Sequence, residues 1–184
     1  NTQVPLDRGL NLETTMDNFL LSALLNHTGA DMAFSNGWRY GAPIVPGAIT
    51  MNDLYNMVPM NPPVSTVEIT GEELKNMLEK NLEHTFSRDP LNQMGGYVKR
   101  SLGIKAYIKV ENPPLTRIQK LFVGEREVEA ERVYRAAFIT SQGVPPQIGE
   151  NRQQHPEKII DVMVDSLKDY ELTEARFIGT FTLV

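Results

Sequence analysis

The sequence predicts an α+β domain in which helices pack on a mixed β-sheet. Segments with helical spacing of apolar residues and segments with alternating spacing both occur, and they follow one another without a regular βαβ repeat. The 184 residues are 41% hydrophobic and 22% charged, which suits one domain with a sizeable core. We therefore expect a single domain over residues 12–184, preceded by a lead-in strand or linker at residues 1–11.

The first predicted element is a helix within residues 13–30, which leads into a short buried strand at 31–35. Thr14 or Thr15 can cap this helix, and Gly29 stands where it would end. One face of the helix carries apolar side chains at helical spacing: Met16, Phe19, Leu20, Ala23 and Leu24.

A short helix, a strand and a long helix come next. Thr50 and Asp53 are a capping pair for the helix within 47–59, and Thr70 with Glu73 predicts a capping box for the helix at 70–86. The residues between them, 61–70, alternate as a strand does. The expected buried residues are Val64, Thr66 or Val67, and Ile69 from the strand, and Leu74, Met77, Leu78 and Leu82 from the long helix.

The second half of the chain is richer in strands. The clearest alternation places Ile104, Ala106, Ile108 and Val110 on the inner face of a strand at 104–110. Two polar segments, 89–103 and 150–158, read as loops, and we assign no chemistry to the second. The remaining predicted elements are a strand, turn and short return at 117–128, a strand within 132–144 that ends in a glycine loop, an amphipathic helix at 156–170 and a closing strand at 176–184.

The composition argues against a reaction centre in this chain. The chain has no cysteine, and its three histidines lie far apart in sequence, so we expect neither a metal site nor a cysteine nucleophile. Ser141 lacks the G-x-S-x-G context of a nucleophile elbow. With a net charge of -5 and no basic face, we expect no nucleic-acid partner, and the apolar runs are too short to span a bilayer.

Three glycine loops beside predicted strands are the best candidates for a binding site. They read "SNGWRYG", "NQMGGYVKR" and "TSQGVPP". Backbone N–H groups in such loops can face a ligand, and two of the loops carry Arg or Lys. The alternative for Gly95 and Gly96 is a tight turn or bulge, and the alternative for Trp38 is core packing. Lys99 and Arg100 are candidates to face an acidic or backbone-rich partner, but exposed charges are the more common explanation for such residues.

The motifs "ADMAFSNG-x-R", "G-x-I-T-x-x-D-L" and "V-x-I-T-G-x-x-L" resemble the C-terminal domain of the 5′-nucleotidase family, from about Leu10 to the last strand. The resemblance implies a substrate-binding domain that works with an N-terminal metallophosphoesterase domain absent from this chain. That other domain carries a two-metal centre in the family.

Within the family, "NGWRYG", "RDPLNQMGGYVKRSLG" and "RAAFITSQGVP" are most similar to the SoxB-type thiosulfohydrolases of sulfur oxidation. Such enzymes use two manganese ions and release sulfate from a cysteine S-thiosulfonate on a sulfur-carrier protein. The resemblance implies a periplasmic or secreted location, with which the absence of cysteine agrees.

Two departures separate the chain from classical nucleotidases, whose phenylalanines sandwich the base. Met60 stands in the place of the first, and "TSQGVPP" lacks the aromatic of the second. The family arginine survives as Arg39. The resemblance and the glycine loops together give these substrate-binding residues: Arg8, Asn36, Gly37, Trp38, Arg39, Met60, Gly95, Gly96 and Gly143. Arg8 is included because arginines precede the first helix in the family.

Two other functions stay open at this stage. The domain could belong to a nucleotidase or nucleotide phosphoesterase with a divergent pocket, in which case the partner is a nucleotide. It could also be a free-standing binding module that has no catalytic domain.

Overall fold

We describe residues 1–36, 41–169 and 177–184 in a computed structural model of the chain. The helices are α1 (Thr15–Thr28), α2 (Met51–Met57), α3 (Gly71–Phe86) and α4 (Ile159–Asp169), with a short 3₁₀ turn at Pro90–Asn92. The strands are β1 (Met32–Ser35), β2 (Pro63–Thr70), β3 (Arg100–Leu102), β4 (Ile104–Ile108), β5 (Ile118–Val123), β6 (Arg126–Glu127), β7 (Val133–Phe138), β8 (Glu150–Lys158) and β9 (Phe181–Leu183).

The strands of the described residues form two sheets. A five-stranded sheet has the order β3-β1-β7-β2-β8, and a four-stranded sheet has the order β6-β5-β4-β9. Each sheet is mixed: β1 pairs with β7 in parallel and β4 with β9 in parallel, while the other neighbours are antiparallel. The mixed sheets and the helices confirm the predicted α+β class.

The five-stranded sheet separates two hydrophobic cores. Ala33 of β1 packs with α1, α2 and α4 on one face, whereas Met32 and Phe34 pack with α3 and the four-stranded sheet on the other. Successive side chains of a strand point to opposite faces, so one short apolar strand serves both cores. This burial on both faces explains why β1 is uniformly apolar until Ser35.

The predicted helix signals are confirmed. Thr14 caps α1, and Gly29 ends it in a left-handed conformation with φ 61°. The capping boxes of Thr50 with Asp53 and of Thr70 with Glu73 are both complete. The apolar faces predicted for the two long helices are buried, and so are Val64, Thr66, Val67 and Ile69 of β2.

Two segments predicted to be loops contain strands. Residues 150–158 form β8, an edge strand whose side chains are almost all exposed, and residues 100–102 form β3. The polar pattern of β8 was misleading because an edge strand is held by its backbone pairing to β2 and buries little side-chain surface. Pro156 is compatible with this position, since an edge strand leaves some N–H groups unused. The last helix accordingly begins at Ile159, three residues later than predicted.

The first residues of the chain contact the domain directly. Thr2 pairs with Gly47 and Leu6 with Ile44, and Leu6 is fully buried in the core on the α1 side. No helix of the described residues has both the length and the apolar composition that crossing a membrane requires.

Candidate substrate site at one edge of the five-stranded sheet

The topology brings several of the predicted site residues to one edge of the five-stranded sheet. Because β1 and β7 are parallel and pair Phe34 with Phe138, their carboxyl ends meet there. Strands β2 and β3 run antiparallel to these neighbours and therefore begin at the same edge. We call this region the loop edge; it comprises Ser35 and Asn36 after β1, residues 59–62 before β2, residues 97–99 before β3 and residues 139–144 after β7.

Asn36 ties the segment after β1 to the segment after β7. Its Nδ2 donates to Oε1 of Gln142 at 3.1 Å, and the residue is only 3% exposed. Its other polar atom, Oδ1, is buried and has no hydrogen-bond partner among the described residues, and the same is true of Thr140 Oγ1. Buried polar atoms are rarely left unpaired, so a further hydrogen-bond partner is expected at each of these two atoms.

Lys99 holds the segment after β7 through hydrogen bonds to its backbone. Its ammonium donates to the carbonyl oxygens of Gln142 at 2.8 Å and Gly143 at 2.9 Å, and its backbone N–H donates to Oδ1 of Asn81. Burial of this side chain lowers the pKa of Lys99 to about 8. Lys99 and Arg100 are both buried, so the expectation that they are exposed surface charges was wrong.

A buried carboxylate supports the end of β1. Asp17, 1% exposed, lies 3.4 Å from Nη2 of Arg8 and 3.2 Å from Nε of Arg100. It also accepts hydrogen bonds from the hydroxyls of Ser35 and Thr14. The strand end that leads into Asn36 is therefore fixed by a charged network inside the domain. Acidic residues on helix faces are usually solvated, and nothing in the sequence around Asp17 distinguishes it from them.

The structure places Arg8 in this network. Its Nη1 donates to the carbonyl oxygen of Met57, at the end of α2, at 2.7 Å, and the residue is buried. These contacts give Arg8 a clear structural role. A contact between Arg8 and a substrate anion stays a prediction.

Met60 lies in the loop-edge segment before β2 and is 78% exposed. The backbone that carries it is held on its C-terminal side, where Oδ1 of Asn61 accepts from the N–H of Ile160 and the carbonyl of Pro62 accepts from Ile159. Met60 is therefore an exposed thioether on an anchored turn, and its correspondence to the first stacking phenylalanine of nucleotidases stays a prediction.

Glycine is favoured at the predicted glycine positions for different structural reasons. Gly95 and Gly96 adopt φ of 106° and 137°, which L side chains rarely adopt. A side chain at Gly143 would instead place its Cβ 3.0 Å from the carbonyl oxygen of Phe34, so glycine is needed for close approach to β1. Gly37, Trp38 and Arg39 lie outside the described residues; they follow Asn36 directly in the chain.

Sequence reasoning identified the loop after β7 but missed two of its polar residues. Gln142 and Thr140 lie beside Gly143 in "TSQGVPP", yet nothing local indicated that one would bind Asn36 and the other would bury its hydroxyl. Within the described residues, no group of three His, Asp or Glu side chains is arranged to hold a metal ion.

Comparison with known proteins identifies the family of the chain. The sequence model of the family described as 5′-nucleotidase, C-terminal domain, matches residues 2–140. This chain belongs to that family. The domain is similar to the solved sulfate thiohydrolase SoxB of Thermus thermophilus, with 25% identity and a TM-score of 0.87 over 100% of this chain. A 5′-nucleotidase precursor from the same species matches the same share of the domain with 20% identity and a TM-score of 0.81.

A curated relative from Bacillus subtilis, the trifunctional nucleotide phosphoesterase protein YfkN, is 27% identical over 110 residues. That match covers 58% of this chain and 7% of YfkN. The domain also spans only 34% and 38% of the two solved Thermus proteins. It therefore corresponds to a minor part of each relative.

Proposed function

We propose that this chain is the substrate-binding domain of a two-domain dimetal hydrolase, and that the hydrolase is a SoxB-like thiosulfohydrolase. In this proposal the loop edge faces an N-terminal metallophosphoesterase domain. Two manganese ions would be held by residues of that other domain, since the described residues of this chain offer no group of ligands, and they would supply Lewis-acid chemistry for the hydrolysis. The substrate is a cysteine S-thiosulfonate on a sulfur-carrier protein; water adds to its sulfonate sulfur, the S–S bond to that sulfur breaks, and the products are sulfate and a cysteine persulfide on the carrier.

The chemistry of two loop-edge positions is the main reason to prefer a thiosulfonate over a nucleotide as the substrate. Met60 is an exposed thioether where a nucleotidase of this family has a stacking phenylalanine, and residues 140–144 contain no aromatic side chain. Each missing stacking face weakens base binding by about 1–3 kcal/mol. The greater similarity in structure and sequence to SoxB than to the Thermus nucleotidase agrees with this choice.

The residues of this chain bind and orient the substrate in the proposed reaction. Arg39 supplies a planar, permanently charged guanidinium to the anionic sulfonate oxygens. Asn36 is held by Gln142, and its amide oxygen, like the hydroxyl of Thr140, has no partner among the described residues and would pair with a substrate group that reaches it. Lys99 fixes the backbone of Gln142 and Gly143, so these groups keep their places when the other domain closes on the substrate.

A nucleotide phosphoesterase is the second candidate, and the similarity to YfkN favours it. Calorimetric titration of this chain with AMP and with a peptide that carries a cysteine S-thiosulfonate separates the two candidates. We expect binding of the peptide and none of AMP below about 1 mM, because a base finds no aromatic sandwich. Micromolar binding of AMP would overturn the thiosulfohydrolase assignment.

The catalytic proposal needs a separate test with the complete protein. We expect manganese-dependent release of sulfate by the complete protein and none by this chain alone. Binding of the thiosulfonate peptide by a complete protein that has no hydrolase activity would support a free-standing binding module. We further propose a periplasmic or secreted location, which detection of the protein in the periplasmic or culture fraction would support.

A further inference from the structure

A cavity of about 260 Å³ lies between α3 and the segment that follows β7. One wall is formed by Met77, Lys80 and His84 of α3, and the opposite wall by Pro145 and Ile148. Lys99, which leads into β3, lines the cavity on the side of the loop edge, and the neutral polar residues Asn81 and Gln147 complete the lining. The cavity is thus separate from the exposed surface around Met60.

The cavity has an apolar part and a cationic part. Met77, Pro145 and Ile148 provide aliphatic surface, whereas Lys80 and Lys99 provide ammonium groups. None of the described residues that line it is acidic. A concave surface of this kind, apolar with a few converging groups of one charge, suits a small amphipathic anion.

The charge on Lys99 is not compensated by an ion pair within the described part of the chain. Two of its three N–H groups donate to the neutral carbonyls of Gln142 and Gly143, and neither Lys99 nor Lys80 takes part in an ion pair with a described carboxylate. The lowered pKa of Lys99 reports the cost of burying this charge. An anion in the cavity would relieve that cost.

We propose that this cavity binds a small carboxylate with a short apolar chain. The carboxylate lies against Lys80 and Lys99, and the chain lies against Met77, Pro145 and Ile148. A cavity of about 260 Å³ has room for a short aliphatic chain, so hexanoate is a suitable probe. Binding there also reinforces the segment that carries Gln142, the partner of Asn36, and so couples the cavity to the loop edge.

The proposal is tested by calorimetry and by amide NMR spectra of this chain with hexanoate at pH 7. We expect saturable 1:1 binding with a Kd of about 1–10 mM, with chemical-shift changes centred on Lys80, His84, Lys99 and Ile148. Hexanol, which has the same chain without the charge, and sulfate, which has charge without the chain, should each bind at least about tenfold more weakly.

A matched pair of variants on α3 separates the cavity from general attraction to charge. Lys80→Glu should weaken hexanoate binding by about tenfold or more, because it places a like charge beside the carboxylate. Lys75→Glu makes the same change at an exposed position of the helix that does not line this cavity, and it should leave binding within about twofold. Equal loss in both variants, equal binding of hexanol, or shift changes centred elsewhere would each overturn the proposal.

Discussion

The side-chain nitrogen of Lys99 lies 2.8 Å from the carbonyl oxygen of Gln142, although the two residues are 43 positions apart in the chain. The residue is 9% exposed, and its donors are directed into the segment that also supplies the partner of Asn36. A buried cation therefore holds the loop after β7, and its protonation is linked to the stability of the domain.

Because of Lys99, the stability of the domain should change with pH in the alkaline range. Its pKa is about 8 in the folded chain and about 10.5 in the unfolded chain, so between these values the unfolded state binds more protons. The free energy of unfolding should therefore rise with pH across this window, by up to about 3 kcal/mol, since the fold is relieved of a buried charge. Urea unfolding at pH 7, 8, 9 and 10 measures the rise.

The control for this prediction is Lys99→Met, compared with Lys75→Met at an exposed position of α3. The Lys99 variant should lose the rise above pH 8, and it should be less stable at pH 8 and above because two carbonyls lose their donor. The Lys75 variant should follow the parent protein. If the free energy of unfolding of Lys99→Met rises with pH above 8 as steeply as that of the parent protein, another group is responsible for the rise.

Elements whose stabilising contacts are local in the chain could be predicted from the sequence, whereas those that depend on residues far away in the chain could not. Helix α3 was predicted correctly because its capping box and apolar stripe are local signals. Strand β8 was not, since an edge strand gains its stability from pairing with β2 and its side chains carry no burial pattern. The burial of Lys99 depends on a partner 43 residues away, and no local pattern records such a contact.

The candidate site likewise contains residues with local sequence signals and residues whose role depends on distant segments. Gly143 and Asn36 could be proposed as site residues because glycine loops after strands are visible in the sequence, whereas Asp17 cannot be distinguished there from ordinary helix carboxylates. Its burial depends on Arg8, Arg100 and Ser35 from three separate segments. The parallel pairing of β1 with β7, which brings the loops together, likewise joins strands about a hundred residues apart.

Asp17→Asn should strongly destabilise the domain. It removes the negative charge that faces the buried guanidinium groups of Arg8 and Arg100, and breaking a buried ion pair of this kind typically costs about 3–5 kcal/mol. Asp165→Asn is the matched control, because Asp165 pairs with Lys168 in an exposed helical pair worth less than about 1 kcal/mol. The midpoint of urea unfolding measures both. Similar small losses in the two variants would contradict a structural role for Asp17.

Met60→Phe should create part of a nucleobase site. The position is exposed on an anchored turn, so the ring can be accommodated without repacking the core, and one stacking face contributes about 1–3 kcal/mol. We expect AMP binding to become measurable by calorimetry, at least about fivefold tighter than in the parent protein. Met94→Phe, at another exposed methionine, should have no effect. Unchanged AMP binding in Met60→Phe would mean that this position does not face the substrate.

Arg39 tests the proposed anion contact in the complete two-domain protein. It stands three residues after Asn36, whose position is fixed by Gln142, and the resemblance to the family assigns it to the substrate oxyanion. Arg39→Lys keeps the positive charge but loses the planar pair of donors, so turnover should fall. Arg39→Ala should cost more, about 2–4 kcal/mol of transition-state stabilisation, which appears as a loss of roughly 30- to 1000-fold in kcat/KM.

The alternative role for Arg39 is a structural ion pair within the domain. The stability of the Arg39→Ala variant distinguishes this role from contact with the substrate anion. If Arg39 binds substrate, the melting temperature of Arg39→Ala should change by no more than that of Arg88→Ala, which removes an exposed arginine after α3. Activity per folded molecule should then fall in the Arg39 variant alone. A large drop in melting temperature, together with unchanged activity per folded molecule, would instead assign Arg39 to the scaffold and remove the anion contact from the proposed mechanism.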